Sequence, residues 1–413
     1  MKKDFFKNNR KKLTDSIGDN SLLVLFSGSA PQKSADEVYE FVVNKNFYYM
    51  TGTERENFAL LIYKNNGETK ETLFIEKVTP LEEKWTGKRM TQEEAREISG
   101  IENIEAISNF KNFFNSLMLR GEYSKIYLDL EKRGWDSIST PALKFANDVA
   151  ERYPYLRIKN IYHKIAKLRM VKTKEEIEMI KNAISITNKG IKSLMRNARP
   201  GMLEYQLEAY FDFEIKTLGS KRFAFKTIAA SGENATVLHY DKNNCEIKEN
   251  ELILFDLGAQ YKNYCADISR TFPINGKFTD RQKQIYEIVL KAELETIKAV
   301  KPGLPFRELN NVTKKVLAEE CKKIGLIKED SEISKYYYHG VSHYLGLDTH
   351  DVGDYDVCLQ PGMVLTVEPG LYIEEEKIGI RIEDNVVVTE NGCDNLSSNI
   401  IKNIEDIEAF MNK

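Results

Sequence analysis

Two apolar runs in this chain each end in a carboxylate two residues before a glycine: Asn250-Glu-Leu-Ile-Leu-Phe-Asp256-Leu-Gly258 and Pro361-Gly-Met-Val-Leu-Thr-Val-Glu368-Pro-Gly370. Leu252 to Phe255 is apolar at every position, which reads as a strand buried on both faces. A carboxylate closing such a strand is withdrawn from water and costs several kcal/mol unless something compensates it. Each acid is answered by another, Asp267 eleven positions after Asp256 and Glu383 fifteen after Glu368. The echo predicts two similar halves, each donating a carboxylate pair, with cations as the natural compensation.

The segment Leu257 to Ala266 has hairpin length and contains the turn-tolerant pair Lys262-Asn263. In a hairpin Asp256 and Asp267 face the same side, with opposed Cβ atoms about 5 Å apart and diagonal ones about 7 to 8 Å, close enough to share a metal. A single strand-end Asp is more often a solvated acid; the buried run before Asp256 weighs against that here. Gly379 to Val388 reads as a further strand, in which Ile380 and Ile382 alternate with Arg381 and Glu383 and so put the two charged residues on one face.

Three of the five histidines, His339, His343 and His350, fall within twelve positions of a stretch broken by glycines. A lone histidine is more often structural than a ligand, but this density points to a site, with one of the three expected to touch metal. Asp256, Asp267, Glu368 and Glu383 carry four negative charges, which two divalent cations balance. An oxygen-rich set with one imidazole and no thiolate suits Mn²⁺, Co²⁺ or Fe²⁺ better than structural zinc, with catalytic Zn²⁺ also open.

At 413 residues the chain exceeds the size at which single cores stop growing, so two domains are expected. The first part mixes β-like runs (Leu22 to Phe26, Thr72 to Ile75) with polar helical stretches (Thr91 to Ile98), the pattern of an α/β domain. The boundary is placed before the helix expected over Glu175 to Met195, giving domains 1–168 and 169–413. Further helices are expected over Leu203 to Leu218, Asp280 to Val300 and Phe306 to Ile324.

A net charge of -3 without a basic stripe argues against a nucleic-acid partner. Five scattered cysteines with no C-x-x-C pair read as reduced thiols. The basic Met1 to Arg10 is not followed by an apolar signal core, and no apolar run approaches the ~20 residues of a membrane span, so a cytoplasmic protein with no membrane partner is expected.

Phe-Asp256-Leu-Gly, Ala-Asp267-Ile-Ser-Arg-Thr-Phe, His339-Gly-Val-Ser-His343-Tyr-Leu-Gly-Leu-Asp-Thr-His350-Asp-Val-Gly, Val-Glu368-Pro-Gly-Leu-Tyr372 and Gly-Ile-Arg381-Ile-Glu383-Asp-Asn together resemble the pita-bread metallopeptidases of the aminopeptidase P and prolidase family. The resemblance covers nearly the whole chain. It implies an α/β amino-terminal, non-catalytic domain followed by a pita-bread (creatinase/aminopeptidase-like) catalytic domain, α/β and α+β in class. It implies that Asp256 binds one metal, most readily Mn²⁺, that His343 and Glu368 bind the other, and that Asp267 and Glu383 bridge both. A hydroxide held between the metals would attack peptides with proline in second position, with Glu368 as proton shuttle.

By the same resemblance His239 and His350 steady the tetrahedral intermediate, while His339, Arg381 and Tyr372 line the substrate pocket. Trp85, in Lys-Trp-Thr-Gly, matches a tryptophan that closes over a neighbouring subunit's site, and the amino-terminal domain implies a homodimer or homotetramer. Prolidase, restricted to Xaa-Pro dipeptides, stays open as an alternative, although Val341-Ser342 looks more like aminopeptidase P. Methionine aminopeptidase usually lacks so long an amino-terminal domain. From a different class, binding-module relatives that have lost the ligands, and metal-free creatine hydrolases, are opposed by the complete ligand set.

Overall fold

The computed structural model describes residues 1–412, and the chain divides into two compact units, Met1–Leu168 and Arg169–Lys413. In the first unit the strands are β1 (Ser21–Phe26), β2 (Gln32–Ser34), β3 (Glu37–Val38), β4 (Ala59–Asn65), β5 (Glu68–Ile75), β6 (Asn103–Ala106), β7 (Lys125–Leu128) and β8 (Arg157–Asn160). Six of them make one mixed sheet in the order β6-β5-β4-β1-β7-β8. β1 runs antiparallel to β4 and parallel to β7. Leu22 to Leu25 are wholly buried, as expected of a central strand covered on both faces. The helices α1 (Lys3–Asp15), α2 (Lys45–Thr51), α3 (Pro80–Thr86), α4 (Gln92–Ser99), α5 (Phe110–Met118), α6 (Pro141–Arg152) and α7 (Tyr162–Met170) complete this part of the chain, the division between units falling within α7. Phe74, Phe110, Phe114 and Ile126 are among the residues that fill its core.

The second unit opens with α8 (Lys174–Asn197), started by the Thr173 capping box with Glu176. It buries Ile180, Ala183, Ile184, Thr187, Ile191 and Leu194, a three-four spacing that lays one face against α9 (Glu204–Thr217). The remaining helices are α10 (Asp280–Ala299), α11 (Glu308–Lys323) and α12 (Ile404–Met411). Two three-stranded antiparallel sheets lie at its heart. One is β13-β10-β9, from β9 (Ile228–Ser231), β10 (Leu252–Leu257) and β13 (Ile268–Pro273), with the small hairpin β11 (Gln260–Tyr261) and β12 (Tyr264–Cys265) between its last two strands. The other is β14-β17-β18, from β14 (Val364–Val367), β17 (Asp384–Val388) and β18 (Cys393–Asn395), with the pair β15 (Gly370–Ile373) and β16 (Ile378–Arg381) between β14 and β17.

The single strand expected over Gly379 to Val388 is instead two, β16 and β17, interrupted at Ile382-Glu383. β16 pairs with β15 while β17 pairs with β14, so the chain changes partner at the acid. No helix among the described residues is long and apolar enough to cross a membrane.

Candidate metal centre

Each of the two sheets delivers two acids from strand ends. Asp256 sits on β10 opposite Ser269, and Asp267 lies immediately before β13, diagonal to Asp256 on the same side of the hairpin. The turn at its tip has Lys262 and Asn263 at φ +47° and +68°, the two-residue geometry that matches strand twist. Gly258 is obligatory here, because a Cβ would sit 1.8 Å from the carbonyl oxygen of Ala266.

Glu368 follows β14 and Glu383 precedes β17. The loop carrying His343 is laid beside β14 by backbone bonds from Thr366 N to His343 O (3.0 Å) and Glu368 N to Val341 O (2.9 Å). Glu383 N donates to Ser269 O at 3.1 Å, bringing the second sheet to the first. Asn385 fastens the junction: its Oδ1 accepts from Asp267 N (3.2 Å) and its Nδ2 donates to Asp267 O (2.6 Å).

His343 Nε2 lies 3.3 Å from Asp267 Oδ2 and 3.4 Å from Glu368 Oε1. Its Nδ1 is 3.0 Å from the Tyr344 carbonyl, which can only accept, so Nδ1 carries a proton and Nε2 is the nitrogen that faces the acids. Ligand atoms of Asp267, His343 and Glu383 all lie within 4.8 Å of one another. Burial, and then repulsion from Asp256 and Glu368, pushes the Asp267 carboxyl well above the usual carboxylate range. Glu383 is pushed up by burial and then by Asp267 and Glu368, and Glu368 chiefly by burial.

One guanidinium answers this charge: Arg381 Nη2 donates to Asp256 Oδ2 at 2.7 Å. Asp256 Oδ1 and Glu383 Oε1 remain buried without a hydrogen-bond partner. Buried carboxylate oxygens left unpaired, close to an imidazole nitrogen, are what a divalent-cation site requires. The donor set fits.

These groups stand in a cavity of about 690 Å³ whose wall also includes His239, His339, His350 and Arg381. The His350 ring meets His343 edge-on, centroids 4.3 Å apart. Tyr372 lies buried behind His339, its hydroxyl 2.9 Å from His339 Nε2 while accepting from Arg381 Nη1 at 3.1 Å. His339 Nδ1 faces the Gly340 carbonyl at 2.8 Å, so Nε2 is the acceptor of the Tyr372 proton, and burial holds the imidazole pKa down to about 4. Trp85 belongs to the first unit, on α3, with 85% of its surface exposed.

Three supporting residues escaped the sequence reading. Ser269 Oγ donates to Glu383 Oε2 (2.8 Å) and accepts from Arg381 Nε (2.9 Å). Thr366 Oγ1 takes the His343 N–H at 3.1 Å and reaches Glu368 Oε1 at 3.4 Å, and Asn385 holds Asp267. Each stands two residues from an acid, Ser269 from Asp267, Thr366 from Glu368 and Asn385 from Glu383. The strand period of two is the signal that could have found them.

The description "Metallopeptidase family M24" matches residues 178–390, and "Aminopeptidase P, N-terminal domain" matches residues 6–127. The chain belongs to metallopeptidase family M24: it is a metallo-aminopeptidase of the pita-bread fold, a hydrolase that uses divalent metal ions. The Xaa-Pro aminopeptidase of Escherichia coli strain K12 is 33% identical, the match covering 98% of this chain and 97% of that protein. Human Xaa-Pro aminopeptidase 3 is 29% identical, over 97% of this chain and 83% of its own. A solved Bacillus anthracis structure bearing an aminopeptidase P designation superposes with a TM-score of 0.99 at 53% identity, covering 100% of this chain and 99% of that one. The E. coli aminopeptidase P structure with the inhibitor Pro-Leu gives 0.92 at 32% identity, covering 100% and 98%.

Proposed function

We propose that this chain is an Xaa-Pro aminopeptidase, a metal-dependent exopeptidase that releases the first residue from peptides with proline in second position. The observation that carries the reading is the meeting of two carboxylate pairs from separate sheets around His343 Nε2, with Asp256 and Glu383 lining one cavity and each keeping a buried oxygen unpartnered. In this reading residues 169–413 are the catalytic domain and 1–168 the non-catalytic one. Asp256, Asp267, His343, Glu368 and Glu383 would hold two divalent ions; the hard donor set favours Mn²⁺. Two bound divalent ions would acidify a water shared between them to hydroxide at neutral pH and polarise the scissile carbonyl.

The chain's own residues do the rest. Glu368 takes the proton given up by the attacking water and passes it to the departing prolyl nitrogen. His239 and His350 donate ring N–H groups to the oxygen that gains charge. His339, neutral because of its burial, offers an uncharged ring to the proline side, with Tyr372 and Arg381 fixing its orientation.

The first unit supports self-association into a homodimer or homotetramer, since Trp85, Val38, Tyr39 and Val42 expose apolar surface there. Trp85 then reaches substrate in a neighbouring subunit. Five cysteines free of disulfides support a cytoplasmic setting.

The deciding experiment is hydrolysis of Xaa-Pro-Yaa tripeptides and Xaa-Pro dipeptides by chelator-stripped protein with and without Mn²⁺. Metal-dependent release of the first residue from tripeptides is expected. Cleavage confined to dipeptides would make the protein a prolidase, and cleavage of neither would point to a binding module.

A further inference from the structure

Glu204, the first residue of α9, is a carboxylate with no exposed surface. Its five side-chain hydrogen bonds all come from neutral groups. Oε1 accepts from Ser231 N (2.8 Å), Ser231 Oγ (2.8 Å) and Asn234 Nδ2 (3.0 Å). Oε2 accepts from Tyr240 Oη (2.8 Å) and Cys245 N (3.0 Å). A buried charge is tolerated on such terms because several donors aimed at it replace its hydration.

The partners bracket one stretch of chain, from the end of β9 through the 3₁₀ turn Gly232–Thr236 to Cys245. In its middle stands His239, exposed to the cavity, between half-buried Leu238 and buried Tyr240. Tyr240 packs its ring among Ile228, Ala230, Ala235 and Tyr372 while giving its proton to Glu204. From the other side Gly379 of β16 presses on the turn so closely that a Cβ would lie 2.1 Å from Ala235 O. The segment is therefore anchored on both flanks of the histidine, while His239 itself stays exposed.

We propose that Glu204 is a positioning residue for His239, fixing the backbone on either side of it so that the ring meets substrate in one orientation. The proposal rests on the role given to His239 under the proposed function. Glu204 touches neither substrate nor metal and acts only through the loop. Its charge matters as well as its shape. Glutamine fills the same space, but its NH₂ must replace one of the two oxygens, and each oxygen faces a backbone N–H, Ser231 on one side and Cys245 on the other. Either placement sets donor against donor.

The test is a kinetic double-mutant cycle on an Xaa-Pro-Yaa tripeptide with Mn²⁺-loaded protein: Glu204→Gln, His239→Ala and the pair. Glu204→Gln should lower kcat about tenfold or more, a part of what a positioned proton donor supplies, with KM little changed. In the His239→Ala background it should cost nothing further. A spectroscopic check accompanies it: the imidazole signal lost in His239→Ala should shift or broaden in Glu204→Gln while metal content stays the same. Tyr240→Phe, which removes one of the five donors, covers the case of poor folding and should give a smaller loss that also vanishes without His239. Equal losses from Glu204→Gln (or Tyr240→Phe) with and without His239, or full activity in that variant, would overturn the positioning role alone. Full activity in His239→Ala would overturn the reading of His239 on which it rests.

Discussion

Arg270 Nη2 donates to Asp384 Oδ1 at 2.6 Å, and neither side chain has any solvent exposure. The same guanidinium reaches the carbonyl oxygens of Glu383 (2.6 Å), Ser269 (2.9 Å) and Ile401 (3.0 Å). The pair thus holds the backbone of Glu383 from behind. Removing one partner of a buried pair strands the other, at about 3 to 5 kcal/mol. Arg270→Met should lower the urea unfolding free energy by about that amount. It should also weaken metal retention in a chelator competition; unchanged values for both would refute the linkage.

On the far side of Asp384, Lys402 bridges to Glu293 at 2.6 Å. Burial, then the charge of Asp384, pushes the Glu293 carboxyl up to about 8. An unfolded glutamate titrates near 4.3, so across this interval the native state keeps a proton that the unfolded chain releases. This group's contribution is fully present below about 4.3 and lost as pH rises toward 8. Glu293→Gln should remove that component, leaving a flatter stability profile from pH 5 to 9 in urea titrations. Parallel profiles would count against it.

His339 is shifted the opposite way for a base, down to about 4 by burial, with the Arg381 charge assisting and the Gly340 carbonyl opposing. Unfolded histidine binds its proton near 6.5, so this site costs stability as pH falls from about 6.5 toward 4. In ring-proton NMR, the resonance missing from His339→Ala should not titrate above pH 5. A midpoint near 6.5 would show that Tyr372 and Arg381 do not hold the ring in its buried, neutral form.

Stripping the metals should lower the melting temperature, since Asp267, Glu368 and Glu383 are left to repel one another in a buried site. Restoring a divalent ion at a hundred times its Kd should return about 2.7 kcal/mol. Glu383→Gln separates the two effects: it should melt higher than wild type when both are stripped, yet gain less on adding metal. A variant that melts lower in the stripped state would show that Glu383 is held by its hydrogen bond to Ser269 rather than strained by its neighbours.

Much of this was legible in the sequence where periodicity and burial agree. The β10 hairpin announced itself through an unbroken apolar run and a turn-prone Lys262-Asn263, and α8 through the helical spacing of its apolar residues. The break at Ile382-Glu383 was not legible, because the alternation of Ile380 to Glu383 and the apolar run Val386 to Val388 read together as one strand. What splits it is tertiary: β15 claims one half and β14 the other. Glu204 was invisible for a similar reason. A glutamate opening a helix looks like a solvated first-turn acid, and only the fold brings Ser231, Tyr240 and Cys245 around it.

Asn385 clasps Asp267 across 118 positions. During synthesis, Asp256 and Asp267 emerge long before Glu368, Glu383 and Asn385, and two aspartates on a hairpin make a weak and unselective cation trap. The complete pocket can close only when β14 and β17 have joined the hairpin. Selection among cations therefore belongs to the set assembled from both sheets, and not to the hairpin alone.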